Sequence, residues 1–117
     1  MHRLFLLLMM ATSAAIAGEI DQPAALAALQ RADSILIDVR TAQEYAEDAL
    51  PGSTRIETQD LAERIAGVAP DKDAPSFLYC RSGRRSSAAQ DLLQNMGYRH
   101  VVNAGGYEDL KAVVPPR

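Results

Sequence analysis

The one cysteine of the chain, Cys80, opens the run Cys80-Arg81-Ser82-Gly83-Arg84-Arg85-Ser86. A thiol followed by three arginines and a glycine suits nucleophilic attack on a small anion. Consecutive backbone N–H groups in a tight loop form an anion-binding nest, and the arginines add positive charge. A helix starting after the loop would point its positive end at the sulfur, an effect worth up to about 2 kcal/mol in favourable geometry. All three effects lower a thiol pKa from its usual value of about 8.5 and so populate the thiolate. Gly83 supplies a backbone conformation or close approach that a side chain would block. Ser86 or Ser87 could cap the helix. The competing reading makes Cys80 a core residue, since free cysteine is among the most buried types, and the arginines a solvated surface. Three arginines clustered around the only cysteine weigh against it.

The flanking segments position this loop between a strand and a helix. Ser76-Phe77-Leu78-Tyr79-Cys80 is a short apolar run of the kind found in buried parallel strands. After the loop, Ala88, Ala89, Leu92, Leu93 and Met96 form an apolar stripe at helical spacing, and Gly97 is the expected terminator. Asp21-Gln22-Pro23 reads as a capped helix start leading into Ala24 to Gln30. Ser34 to Val39 reads as a buried strand, and Thr41 as the cap of a short helix that ends before the Leu50-Pro51-Gly52 turn. Thr54-Arg55-Ile56 is another candidate strand, Leu61 to Gly67 a short helix, and His100 to Asn103 a third apolar strand before Gly105-Gly106. Strands alternating with helices indicate an α/β domain with a mainly parallel sheet, and the Cys80 loop falls at the carboxyl end of a strand, where such sheets bind ligands.

Composition narrows the function classes. Leu4 to Met10 is unbroken and apolar, and Ala15-Ile16-Ala17 offers small residues for a signal peptidase, so residues 1–17 read as a signal peptide cleaved before Gly18. The run is short for a membrane anchor, which needs roughly 20 apolar residues, so no stable membrane insertion is expected after cleavage. The expected mature domain, residues 18–117, would reside in an oxidising compartment such as a periplasm. The chain holds 12 Lys and Arg against 15 Asp and Glu; losing Arg3 leaves 11 against 15, a formal charge of −4. That balance argues against a nucleic-acid binder, which would show a basic face. One cysteine permits no internal disulfide, and with two histidines, His2 and His100, there is no evident metal or cofactor site.

The chain resembles single-domain rhodaneses, the thiosulfate sulfurtransferases, of the small exported type. The resemblance rests on Asp38-Val39-Arg40 followed by Glu44-Tyr45, on Leu50-Pro51-Gly52-Ser53, on the Cys80 to Arg85 loop, and on Gly97-Tyr98 leading to Gly105-Gly106-Tyr107. It implies a rhodanese-like open parallel five-stranded sheet flanked by helices, and a persulfide formed on Cys80. Rhodaneses hold a six-residue loop, which fits Cys80 to Arg85. Related dual-specificity phosphatases and arsenate reductases use a loop one residue longer, whose last arginine would fall where Ser86 stands. Two positions depart from the family: Ala49-Leu50 replaces a histidine before the Pro-Gly turn, and Tyr107 and Leu110 stand where larger members carry tryptophan.

The mechanism so implied is attack of the Cys80 thiolate on the sulfane sulfur of thiosulfate, then transfer to cyanide, a thiol or a protein sulfur acceptor. Loop N–H groups from Arg81 through Arg85, including Ser82 and Gly83, would stabilise the anion. Arg85 is the candidate for binding within the loop, with Arg81 or Arg84 attracting the sulfonate. Asp38, at the end of a buried strand, needs hydrogen bonds and should tie down neighbouring backbone; Arg40 should pair with Glu44 or another carboxylate. The same residues fit a non-catalytic persulfide carrier or a binding domain, and, less well, a cysteine phosphatase or arsenate reductase.

Overall fold

The computed structural model describes residues 19–113, so the segment read as a signal peptide and its cleavage site before Gly18 lie outside the described residues. Short apolar runs form the strands and amphipathic segments the helices between them. The elements are α1 (Gln22–Leu29), β1 (Ile35–Asp38), α2 (Ala42–Glu47), β2 (Thr54–Arg55), α3 (Leu61–Val68), β3 (Ser76–Cys80), α4 (Arg84–Asn95), β4 (Val101–Gly106) and α5 (Tyr107–Lys111), with a 3-10 turn at Thr58–Asp60. The strands pair in parallel in the order β2-β1-β3-β4. Strand β3, central and covered on both sides, is buried at every residue.

The expected five-stranded sheet is corrected to four strands among the described residues. The place beside β4 is taken by one residue, Ile20, which makes an isolated parallel bridge to Asn103. Asp21 ends that pairing. Its N–H reaches the Asn103 carbonyl at 2.9 Å, while its carboxylate accepts from Ala24 N–H at 3.0 Å and starts α1. The chain therefore turns into helix directly after the Ile20 bridge, and the pairing does not continue past Asp21. A second difference concerns the double glycine, which continues β4 rather than following it. Tyr79 aligns with Gly105 and Cys80 with Gly106, after a register shift that passes over Ala104.

Alternation along the strands divides the core into two layers. Ile37, Val39, Leu78 and Cys80 face Leu61 and Ile65 of α3 and Ala89 and Leu93 of α4. Leu36, Phe77 and Tyr79 face Ala25 and Leu29 of α1 and Leu110 of α5. Cys80 thus projects to the α4 side, where the helix following its own loop begins.

The turn after α2 is fastened to the sheet by one phenol. The fully buried Tyr79 hydroxyl accepts from Leu50 N–H at 3.1 Å and donates to Ser53 Oγ at 3.2 Å. Burial is the first of the causes that raise its pKa, so it stays a neutral donor. Tyr79→Phe leaves the buried Leu50 N–H unpaired and is expected to lower stability by about 1–3 kcal/mol, read as a lower urea midpoint at unchanged slope.

Candidate active site

Strand order reverses between β1 and β3: the chain leaves β1 toward β2 on one side and returns to β3 on the other. In open parallel sheets the connections diverging from such a point leave a crevice at the carboxyl ends of the strands. Asp38 ends β1 and Cys80 ends β3. Asp38-Val39-Arg40 and the Cys80 loop, 40 residues apart in sequence, therefore meet at one place.

The loop folds around the sulfur. Gly83 N–H donates to Cys80 Sγ at 2.9 Å and Ser86 N–H at 3.5 Å, and Ser86 Oγ lies 3.4 Å away. Burial pushes the thiol pKa up; the Ser86 hydroxyl and the N–H groups of Ser86, Ser82 and Gly83 push it down, and the net direction is below the ordinary value. The lowering comes chiefly from these short-range donors. Two glycines make the geometry possible. Gly83 has φ +91°, a left-handed conformation that suits glycine, and a Cβ there would fall 2.6 Å from Ile20 Cδ1. A Cβ on Gly106 would meet the Arg81 carbonyl at 2.7 Å, so its absence lets the loop backbone lie on the end of β4.

Helix α4 begins at Arg84 with Gly83 as its cap and no side-chain capping bond. Capping by Ser86 or Ser87 is thus corrected: Ser86 is already inside the first turn and points into the site. Its hydroxyl donates to Asn103 Oδ1 at 2.7 Å. Asn103, fully buried on β4, accepts also from Gly105 N–H at 3.0 Å and donates through Nδ2 to the Gly83 carbonyl at 3.0 Å. Asn103 was not singled out from sequence, although an amide inside an apolar strand run beside the double glycine was a visible signal.

The arginines divide into bound and exposed. Arg40, 5% exposed, grips Asp38 through Nε and Nη2 at 2.8–3.0 Å and donates to the Asp48 carbonyl. It lies 4.4 Å from the centre of the Tyr107 ring, within cation–π reach. Of the two pairings expected for it, with Glu44 or with another carboxylate, the structure shows the second, with Asp38 two residues back. Asp38 also accepts from Arg40 N–H at 2.8 Å, so it secures the bend after β1 rather than the cysteine loop. Glu44 serves Arg85 instead, with bonds of 2.9 and 3.1 Å. Arg81, Ser82 and Arg84 are exposed. Arg81 borders a recess of about 320 Å³ together with Arg40, Glu44, Asp48 and Tyr107. Arg84 and Arg85 border a second hollow on the other side of the loop.

The Arg85 bond, opposed by burial and aided by the Thr41 N–H that completes a capping box on α2, holds the Glu44 pKa down at about 2. An unfolded glutamate titrates near about 4.3. Between these values the unfolded chain binds more protons, so the pair's contribution is whole above about pH 4.3 and is lost as pH falls toward 2. Glu44→Gln is expected to flatten the acid side of the stability–pH curve over that window while changing its slope little near neutrality, measured by urea unfolding at several pH values.

Similarity to known proteins agrees with this geometry. Residues 22–112 match the family model described as a rhodanese-like domain. The chain is 42% identical over 74 residues to the thiosulfate sulfurtransferase PspE of Escherichia coli (strain K12), covering 63% of this chain and 71% of that protein. It is 34% identical over 74 residues to a sulfurtransferase of Allochromatium vinosum, covering 63% and 67%. Among solved structures, a rhodanese with anions from E. coli superposes with a TM-score of 0.66 at 39% identity, covering 70% of this chain and 94% of that one. The human single-domain sulfurtransferase TSTD1 shares the fold, with a TM-score of 0.68 at 23% identity over 86% of this chain and all of that one. With its family-wide match and these relatives, the chain belongs to the rhodanese family of sulfurtransferases.

Proposed function

We propose that this protein is a thiosulfate sulfurtransferase in which Cys80 carries the sulfur as a persulfide. The observation that carries the reading is the set of donors around Sγ, with Gly83 N–H at 2.9 Å and Ser86 N–H at 3.5 Å. They favour an anionic sulfur over a neutral one. The Cys80 thiolate attacks the sulfane sulfur of thiosulfate. A new S–S bond forms, the bond to the sulfonate sulfur breaks, and its electron pair leaves with sulfite. Cyanide or a thiolate then attacks the outer sulfur of the persulfide, giving thiocyanate or a new persulfide and restoring the Cys80 thiolate.

The roles proposed for the remaining residues follow from their positions. Ser82, Gly83 and Ser86 stabilise the sulfur through N–H groups, and Ser86 also through its hydroxyl. Arg81 and Arg84, exposed on either side of the loop, draw in the dianionic donor. Arg85, tethered by Glu44, contributes its charge from the rim, where it interacts favourably with an ionised Cys80. Asp38 and Arg40 support the crevice wall. We also propose that residues 1–17 direct export to a periplasm and are removed before Gly18, on the strength of the apolar run and the Ala15-Ile16-Ala17 site.

Intact mass of the protein isolated after export tests both proposals. The expected mass is that of a chain starting at Gly18, rising by one sulfur (about 32 Da) after thiosulfate and falling back after cyanide. Cys80→Ser should gain nothing. A reduced wild-type protein that takes no sulfur from thiosulfate would overturn the donor assignment. Sulfur transfer seen only with a particular protein partner would make the domain a carrier.

A further inference from the structure

The amide of Asn103 and the thiol of Cys80 stand on opposite sides of a single hydroxyl. Ser86 Oγ is 2.7 Å from Asn103 Oδ1 and 3.4 Å from Cys80 Sγ, and all three residues are fully buried. The amide orientation is set by its other bonds: Nδ2 faces the Gly83 carbonyl, a pure acceptor, and Oδ1 faces the Gly105 N–H, a pure donor. Oδ1 is thus an acceptor aimed at Ser86. The hydroxyl has one proton, so it can serve either Oδ1 or the sulfur.

We infer that Asn103 is a positioning residue that competes with the Cys80 sulfur for the Ser86 hydroxyl proton and thereby sets how basic, and how nucleophilic, that sulfur is. With a neutral thiol, S–H donates to Ser86 Oγ and Ser86 donates onward to Asn103. When the thiol loses its proton to solvent, the hydroxyl turns to the sulfur and Asn103 Oδ1 keeps Gly105 N–H as its donor. The rearrangement strands no buried group, which is what a reversible relay requires. The benefit is balance: a thiolate stabilised by every nearby donor would be abundant but a poor nucleophile, because nucleophilicity falls as pKa falls. The inference rests on Cys80 being the nucleophile.

Charged groups around the site belong to other elements and are left in place by the test. They are Arg81, Arg84 and Arg85 on the loop and the start of α4, Glu44 on α2, and the Asp38–Arg40 pair after β1; Lys111 and Asp48 sit farther out. From β4 only neutral groups face the sulfur. The Gly83 carbonyl has a second donor in Ser87 N–H at 3.1 Å, so loss of the Asn103 amide leaves that loop carbonyl paired.

The test is the Cys80 thiol pKa, read from the ultraviolet absorbance of the thiolate and from the pH profile of alkylation, in Asn103→Leu, Ser86→Ala and the double variant. Asn103→Leu is expected to free the hydroxyl for the sulfur and lower the thiol pKa, giving about three- to tenfold more thiolate at a pH below it. Ser86→Ala should raise the pKa, and the double variant should match Ser86→Ala alone. An unshifted pKa in Asn103→Leu overturns the inference. So does a downward shift of equal size in the Ser86→Ala background, which would mean that Asn103 acts through loop shape. Asn103→Ala removes the same acceptor without apolar bulk and is read identically should the leucine variant not fold. The titration uses no sulfur donor, so failure of the thiosulfate reaction and failure of this relay are separate results.

Discussion

A thiolate at the end of a buried strand survives only where hydrogen-bond donors reach it, because burial by itself favours the neutral thiol. Here the nearest donor is the Gly83 N–H, 2.9 Å from Cys80 Sγ. That bond needs the chain to curl back within three residues, which the positive φ of Gly83 permits. The rest of the site follows from that turn. Helix α4 begins directly after it, which brings Ser86 inward beneath the sulfur. Asn103 braces the Gly83 carbonyl, Ile20 lies against the Gly83 Cα, and bare Gly106 gives the loop its floor.

Placing these parts depends on sheet order. With β1 and β3 adjacent at the point where the order reverses, the two loops leaving their carboxyl ends diverge and open a crevice. The Asp38–Arg40 pair forms one wall. Its carboxylate is fully buried and accepts from the guanidinium and a backbone N–H, which offsets the cost of removing both charges from water. Arg40 also bridges outward to the Asp48 carbonyl, and Tyr79 holds the following turn to β3. The carboxylate, guanidinium and phenol that build this wall are each hydrogen-bonded.

Charge plays a different part from local hydrogen bonding. Arg40 is committed to Asp38 and Arg85 to Glu44, while Arg81 and Arg84 remain exposed. The role proposed for the exposed arginines is accordingly a field that attracts anions. The thiol itself responds to donors within hydrogen-bond reach, a hydroxyl and three backbone N–H groups.

Much of this was legible beforehand, for reasons of covalent proximity. A cysteine, its loop and the following helix are neighbours in sequence, so the spacing of Cys80, Gly83 and the Leu92-Leu93 stripe determined a strand–loop–helix unit. Local signals such as the Thr41 cap and the Ser76–Cys80 strand appear in the structure as read. The number of strands was not local: Ile20 reaches β4, but Asp21 diverts the chain into helix after one bridge. Partner choice was not local either. Glu44 bonds Arg85, 41 residues away, and Asn103 meets Ser86 across 17 residues. The amino-acid sequence by itself determined which atoms could carry the chemistry. Only the tertiary structure decided which donors and carboxylates stand beside them, because hydrogen bonds and ion pairs act over a few ångströms and the fold alone sets those distances.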